Sequence, residues 1–280
     1  MSGILITGGS GYLGERLAAR LLRDGWERIC IYSRGEHRQA AMREALGNSG
    51  QLRWFIGDVR DEARLVRAMS GVEVVIHGAA LKRIEVGNYA PDEMVKTNVL
   101  GSMNVVEAAS RAGVKKCLLV SSDKAYQPVS PYGQAKALAE SIFLTAGVLH
   151  PDGPAYGVVR YGNVWGSTGS VVPTWKAALA GGRTICVTDP ACTRFFMPVE
   201  EAVDLVLGTV GTMTGGEIAI PELPAYRLAD LLTAMGVERP TVTGLPVWEK
   251  LHESMSDALC SRDARRMMVN ELKEALNGLA

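Results

Sequence analysis

The sequence predicts an α/β fold, a Rossmann-like doubly wound parallel sheet with a small C-terminal lobe. Three observations predict it. Short apolar, β-branched runs alternate with amphipathic stretches over the first 160 residues. The runs lack polar alternation, as strands covered on both faces do. A glycine-rich turn joins the first run directly to a helical pattern, and βαβα order of this kind implies parallel strands with right-handed crossovers.

The predicted strands are 3–7, 28–32, 52–56, 74–77, 116–120 and 156–160, with helices over 13–23, 91–112 and 131–146 among the segments between them. After Arg160 the rhythm breaks. Residues 162–172 are rich in Gly and Ser, and too polar for a core strand. A helix follows over 173–180, then a short strand pair, then a helix opened by Pro198 with Glu200 and Glu201 in its first turn. A strand is expected over 216–220, a helix over 228–235 and a last helix over 262–276. This divides the chain into a dinucleotide-binding domain, 1–160, and a region, 161–280, that is mainly a substrate-binding lobe with some segments returning to the main domain. The lobe sits at the carboxyl edge of the sheet, where open α/β folds place their ligands.

Composition narrows the function. The 280 residues carry 30 basic and 30 acidic side chains, and this zero net charge argues against a nucleic-acid-binding protein. Five cysteines, no two of them in a CxxC, argue against a disulfide framework or a metal site. No apolar run approaches the ~18 residues of a membrane span, and residues 3–7 read as a buried strand rather than a signal sequence, so the expected location is the cytoplasm.

The first strand leads through Gly8, Gly9, Ser10, Gly11, Tyr12, Leu13 and Gly14 into a helix. Glycines at 8, 11 and 14 permit a tight turn, close approach to a pyrophosphate and close helix–strand packing, and the helix N-terminus then faces the phosphates. Glycines also serve plain turns; their place between strand and helix is what favours a dinucleotide. The second strand ends in Ser33 and Arg34, with Arg38 following. An NAD site usually shows an acidic residue here, and its replacement by a serine and arginines suits a 2′-phosphate, so NADP is favoured over NAD. The alternative is a solvated basic cluster. Asp58 and Val59 would border the adenine, although Asp58 equally suits a loop cap. Ala79 and Ala80 leave room for cofactor backbone, and His77 before them reads best as a packed core residue.

The fifth strand delivers Ser122, Asp123 and Lys124, and Tyr132 comes after it with Lys136 at i+4. On a helix these two share a face. A tyrosine of ordinary pKa, about 10, is too weakly ionised to act as a base at neutral pH. The reading is that the Lys136 ammonium favours the phenolate.

The glycine pattern with this Tyr–Lys pair resembles the extended short-chain dehydrogenase/reductase superfamily. Further stretches resemble the inverting UDP-N-acetylglucosamine 4,6-dehydratases: Gly57-Asp58-Val59-Arg60-Asp61, Ala79-Ala80-Leu81-Lys82, Lys96-Thr97-Asn98, Ser122-Asp123-Lys124-Ala125, Arg160-Tyr161-Gly162-Asn163-Val164, Thr193-Arg194-Phe195-Phe196-Met197 and Glu249-Lys250-Leu251-His252-Glu253. The resemblance implies that Tyr132 takes the proton of the sugar 4-hydroxyl while NADP accepts hydride from C4, with Lys136 on the nicotinamide ribose and Ser122 near O4. Lys124 would remove the C5 proton and Asp123 protonate the departing C6 hydroxyl; retaining relatives carry Glu where Lys124 stands. It further implies cofactor contacts from Lys82, Asn98, Tyr161, Asn163 and Val164, and substrate contacts from Lys82, Asn163, Arg194 and Glu249. A homodimer is implied through the helices 91–112 and 131–146, with Met94, Val99, Met103, Val106, Leu138, Ile142 and Phe143 as apolar surface. One departure stands out. The family's Arg-Pro-Gly before Glu-Lys-Leu-His-Glu is replaced by Pro246-Val247-Trp248, which removes an arginine expected on the diphosphate. A C4 epimerase of the same superfamily is the alternative enzyme, and it needs no Asp123–Lys124 couple; an NADP-sensing regulator is the alternative outside enzymology, and it has no need for Tyr132 with Lys136.

Overall fold

The computed structural model describes residues 3–279. Its centre is a seven-stranded, all-parallel sheet. Six strands come from the first 160 residues: β1 (Gly3–Thr7), β2 (Arg28–Ser33), β3 (Leu52–Ile56), β4 (Val72–His77), β5 (Lys116–Val120) and β6 (Ala155–Val159). The later half supplies short strands β7 (Cys186–Val187), β8 (Thr193–Phe195), β9 (Ile218–Ala219), β10 (Ala225–Arg227) and β11 (Thr241–Val242). The sheet order is β3-β2-β1-β4-β5-β6-β9, so the chain reverses direction between β1 and β4, and β9 closes the far edge. That reversal opens a crevice at the carboxyl ends of the strands.

Both sheet faces are covered. Helix α1 (Tyr12–Arg23) buries Leu17, Ala18 and Leu21 against Ile4, Ile6 and Ile31 on one face. Helix α2 (Glu36–Ala45) adds Met42 to that face. On the other face, α3 (Glu62–Met69), α6 (Gly101–Arg111) and α7 (Pro131–Leu149) cover Leu5, Val75, Cys117 and Leu119, with α4 (Ile84–Tyr89) and α5 (Pro91–Met94) between α3 and α6 in the chain. Ser130 caps α7 by accepting from the Gly133 N–H, and Pro131 follows at the first helical position, where its missing N–H costs nothing.

Three expectations change. The helix expected over 91–112 is α5, a π-helical turn over Val95–Leu100, and α6. The strand pair expected after residue 180 does not pair with itself: β8 runs antiparallel to β10, and β7 parallel to β11. The last helix, α11 (Val269–Asn277), starts seven residues later than expected, because the stretch before it bridges Arg266 to Ala225 as an extended segment.

The lobe core gathers Trp165, Trp175, Ile185, Tyr226, Leu231 and Leu272 under α8 (Val171–Ala180), α10 (Leu228–Ala234) and α11. Helix α9 (Val199–Thr212) instead returns to pack beside α1, placing Val203 and Val206 in the main core. Among the described residues, no helix is long and apolar enough to cross a membrane.

Candidate active site

One cleft of about 1280 Å³ runs from the glycine turn across the carboxyl ends of β1, β4 and β5 to the lobe. Gly8 has φ +69°, a backbone state that favours glycine, and a Cβ there would lie 2.9 Å from the Ala79 backbone. Gly11 caps α1 without a side chain, so the first helical N–H groups are left facing the cleft. This cradle fits a pyrophosphate. The hydroxyl of Tyr12 donates to the Trp165 carbonyl (3.1 Å), tying the start of α1 to the lobe.

At the outer end Ser10, Ser33, Arg34, Arg38, Asp58, Val59 and Lys82 line the wall. Ser10 Oγ donates to Ser33 Oγ (2.8 Å), and Gln39 holds Ser33 from behind. Lys82 is held below its usual pKa, first by burial and then by the charge of Arg38. Two cations pressed together at the edge of a cleft suit an anionic ligand group. Asp58 serves its own loop by accepting from the Arg60 N–H (3.0 Å), and it also stands 3.6 Å from Arg34.

Ala79 and Ala80 line the middle of the cleft. Asn98 does not line it. It is 2% exposed, and its side chain brackets the Leu81 peptide, accepting from Leu81 N and donating to Leu81 O, both at 2.8 Å. Its effect on the cleft is to shape the strand of backbone that carries Ala79 to Lys82. His77 is core: it bonds Thr7 and Ser102, stacks on Phe143, and burial helped by the Lys136 charge pushes it down to about 3.

β5 and the 3₁₀ turn after it present Ser122 and Lys124 to the cleft, and the first two turns of α7 present Tyr132 and Lys136. Asp123 is fully buried behind them, its N–H donating to the Tyr161 carbonyl (2.9 Å). Its Oδ1 accepts from Ser122 Oγ (2.8 Å) and Lys124 Nζ (3.2 Å). Lys124 Nζ also donates to Asn163 Oδ1 (3.2 Å), and so connects the catalytic turn to the Arg160-Tyr161-Gly162-Asn163-Val164 segment after β6.

Lys136 Nζ donates to the Val120 carbonyl (2.6 Å), and burial pushes its pKa down to about 8. The Tyr132 phenol is raised by burial, while the ammonium of Lys124 and a hydrogen bond with Ser122 pull the other way. The strongest cationic pull on the phenol is therefore that of Lys124, not Lys136. Sharing a helix face does not by itself aim the Lys136 charge at the phenol. Lys124 is lowered by burial but raised more by Asp123 and Glu253, and stays an ammonium.

Glu253 is a site residue that the sequence does not single out, although it ends the Glu249–Glu253 stretch. It lines the cleft, is 2% exposed, and stands 3.5 Å from Lys124 Nζ. Nothing local in 123–124 signals a partner so far along the chain. Arg194 and Glu249 also line the cleft, but as an ion pair between the buried guanidinium and the half-buried carboxylate, and Arg194 further donates to the Thr193 carbonyl (2.8 Å). Trp248, half-exposed beside them, also lines the cleft.

Fold and site together define an extended short-chain dehydrogenase/reductase: a doubly wound sheet, a glycine cradle at α1, and a Ser–Tyr–Lys set at the end of β5 and the start of α7. Within that class the chain belongs to the family described as polysaccharide biosynthesis protein, whose pattern matches residues 4–270. It is 42% identical over 256 residues to a UDP-N-acetylglucosamine 4,6-dehydratase (inverting) of Campylobacter jejuni, covering 90% of this chain and 76% of that one. A UDP-glucose 4-epimerase of Rickettsia conorii is 38% identical over 237 residues, covering 83% and 69%. In three dimensions the chain is similar to Pen from Bacillus thuringiensis, with TM-score 0.92, 28% identity, and 99% and 98% of the two chains covered.

Proposed function

We propose that the chain is a nucleotide-sugar 4,6-dehydratase of the C5-inverting kind, acting on UDP-N-acetylglucosamine or a related nucleotide-linked sugar. The observation that carries this reading is the Asp123–Lys124 couple in contact at 3.2 Å beside Tyr132, an acid and a base adjoining a redox-type tyrosine. A C4 epimerase needs the tyrosine but has no use for the couple, and a non-catalytic regulator needs neither. The similarity to the inverting dehydratase, higher and broader than that to the epimerase, supports the same choice.

The cradle would hold a nicotinamide dinucleotide through Gly8, Ser10, Gly11, Tyr12, Leu13 and Gly14, with Lys136 at the nicotinamide ribose. Arg34, Arg38 and Lys82 favour NADP. When bound, this group supplies the acceptor for hydride from C4 and the donor of hydride to C6. Tyr132, as the phenolate that Ser122 and the Lys124 charge stabilise, takes the proton of the 4-hydroxyl and becomes the phenol. The resulting ketone acidifies C5–H. Lys124 accepts that proton once its own ammonium proton has moved to a neighbouring carboxylate, and Asp123 protonates the departing C6 oxygen as water.

The lobe side, from Asn163 to Glu249, would bind the nucleotide diphosphate. Arg194 suits it by forked hydrogen bonds, and must exchange Glu249 for phosphate to do so. A nucleotide-sugar substrate and a nicotinamide cofactor favour a cytoplasmic enzyme, and the exposed apolar helix faces favour a homodimer.

The test is incubation of the purified protein with UDP-N-acetylglucosamine, read by mass. Loss of one water supports the reading. An isomer of unchanged mass supports the epimerase instead, and unchanged substrate across UDP-, dTDP-, GDP- and CDP-sugars rejects both. The dinucleotide released on denaturation is expected to be NADP.

A further inference from the structure

Lys124 stands between two buried carboxylates, and only one of them belongs to the turn that carries it. Its Nζ lies 3.2 Å from Asp123 Oδ1 and 3.5 Å from Glu253 Oε1. One ammonium cannot fully compensate two ionised carboxylates that are both buried. The surroundings distinguish the two acids. Glu253 faces three cations: Lys124, Lys250 at 3.4 Å, and Arg194, whose charge also acts on it. Asp123 is in ion-pair contact with Lys124 alone among the described residues. Its Oδ2 is buried without a hydrogen-bond partner among them; Glu253 Oε2 is likewise without one, but it has the Lys250 ammonium 3.4 Å away, whereas the ion pair of Asp123 is made by Oδ1. A proton on Oδ2 costs less there than an unshared negative charge.

We propose that Glu253 is the resting counter-ion of Lys124 and the acceptor of its proton, so that Asp123 keeps its own proton for the leaving hydroxyl. The use made of that proton rests on the dehydratase reading; its resting position does not. The proton passes from Lys124 Nζ to Glu253 Oε1, converting ammonium and carboxylate to amine and carboxylic acid with no change in net charge. The amine then takes the C5 proton. The Asp123 proton goes to O6, which departs as water with the electron pair of the C6–O bond.

The titration directions agree with this allocation. Burial raises Asp123; Lys124 pulls it back, and Glu253 adds to the rise. Burial would raise Glu253 too, but Lys124, Arg194 and Lys250 together hold it low. Tyr132, from α7, also faces the cluster.

The experiment is infrared difference spectroscopy on the full-length holoenzyme without nucleotide-sugar, at neutral pH. A protonated-carboxyl C=O band is expected in the parent and absent from Asp123→Asn. Glu253→Gln should also lose it, because Asp123 then becomes the carboxylate that pairs with Lys124 and ionises. Glu253→Asp should keep it, which separates charge placement from mere disturbance of the site. A parent without the band, a band that survives Asp123→Asn or Glu253→Gln, or one lost in Glu253→Asp overturns the proposal. These spectra need no turnover, so a failure of the dehydratase reading is told apart by the mass assay with UDP-N-acetylglucosamine. With a dehydrating parent, Glu253→Gln should also move the high-pH limb of the rate profile down by at least one unit, and an unmoved limb counts equally against the proposal.

Discussion

At the scale of single residues, Tyr132 and Lys124 are joined by charge yet serve separable steps in the proposed mechanism. Removing the Tyr132 hydroxyl removes the group that receives the 4-hydroxyl proton. Tyr132→Phe should therefore show no reduced-nicotinamide absorbance with substrate. Lys124→Ala keeps the phenol but loses the cation with the strongest pull on it, so C4 oxidation should slow and shift to higher pH, while water loss falls by ~10²–10⁴, as for loss of a general acid–base group. Solvent deuterium at C5 distinguishes the two steps: Lys124→Ala should form reduced nicotinamide transiently and exchange little at C5. Normal dehydration and exchange in that variant would make Lys124 a structural ion-pair partner. These side chains are legible in the sequence because 122–124 and 132–136 are short, local patterns. Pairing across long chain separations is not. Arg194 reads in the sequence as a free phosphate ligand, yet the fold gives it Glu249. The Lys136 charge is directed to Val120 because β5 ends beneath it, a fact of packing rather than of helical spacing.

Elements show the same division between local and global information. The strand–glycine–helix unit is legible because its chemistry is contained in 3–23. Gly14 illustrates how tightly it is built: a Cβ there would fall 2.5 Å from the Gly9 carbonyl oxygen. Alanine gains about 1 kcal/mol over glycine in a helix interior, whereas overpacking a closed site costs about 1–3 kcal/mol. The obstacle is backbone in a tight turn, which has no flexible end to swing aside, so the clash should win. Gly14→Ala is expected to lose about 1–2 kcal/mol in urea unfolding and to bind dinucleotide more weakly. A variant as stable as the parent would show that α1 tilts away from the turn at no cost. The π-helical turn Val95–Leu100 is the contrasting case. A 3.6-residue period carried through 91–112 sets the exposed face wrongly, because each extra residue in a turn rotates the remainder of the helix by about 100°. Val106, beyond the turn, is core, and so are Val99 within it, Met94 before it and Phe143 on α7. The widened turn holds Asn98 against Leu81 and thereby shapes the cleft wall, a purpose no periodicity displays.

For the whole molecule, two halves of the chain build one body. Helix α9 and strand β9 return to the sheet that the first half makes, so the cleft has walls tied to a common core rather than to two independent ones. Apolar surface stays uncovered on the helices of one side. Val95, Leu100 and Met103 are about half exposed on the π turn and α6, and Leu138 is 51% exposed on α7. Leu100 and Met103 also line a shallow cavity of about 330 Å³ with Arg60, Lys96 and Asn104. These are the same two helices that the sequence nominates for a dimer; of the nominated side chains Met103 and Leu138 are exposed, while Met94, Val99, Val106 and Phe143 are buried. A two-fold contact buries such a face against itself, the commonest route to a soluble oligomer. Charge placed at its centre should then separate the subunits, since an unpaired buried carboxylate costs several kcal/mol. Light scattering at micromolar concentration should give the parent twice the chain mass. Met103→Glu combined with Leu138→Glu should give a monomer with unchanged circular dichroism, because both side chains are exposed within the single chain. A monomeric parent, or a double variant that still dimerises, would move the interface elsewhere or remove it.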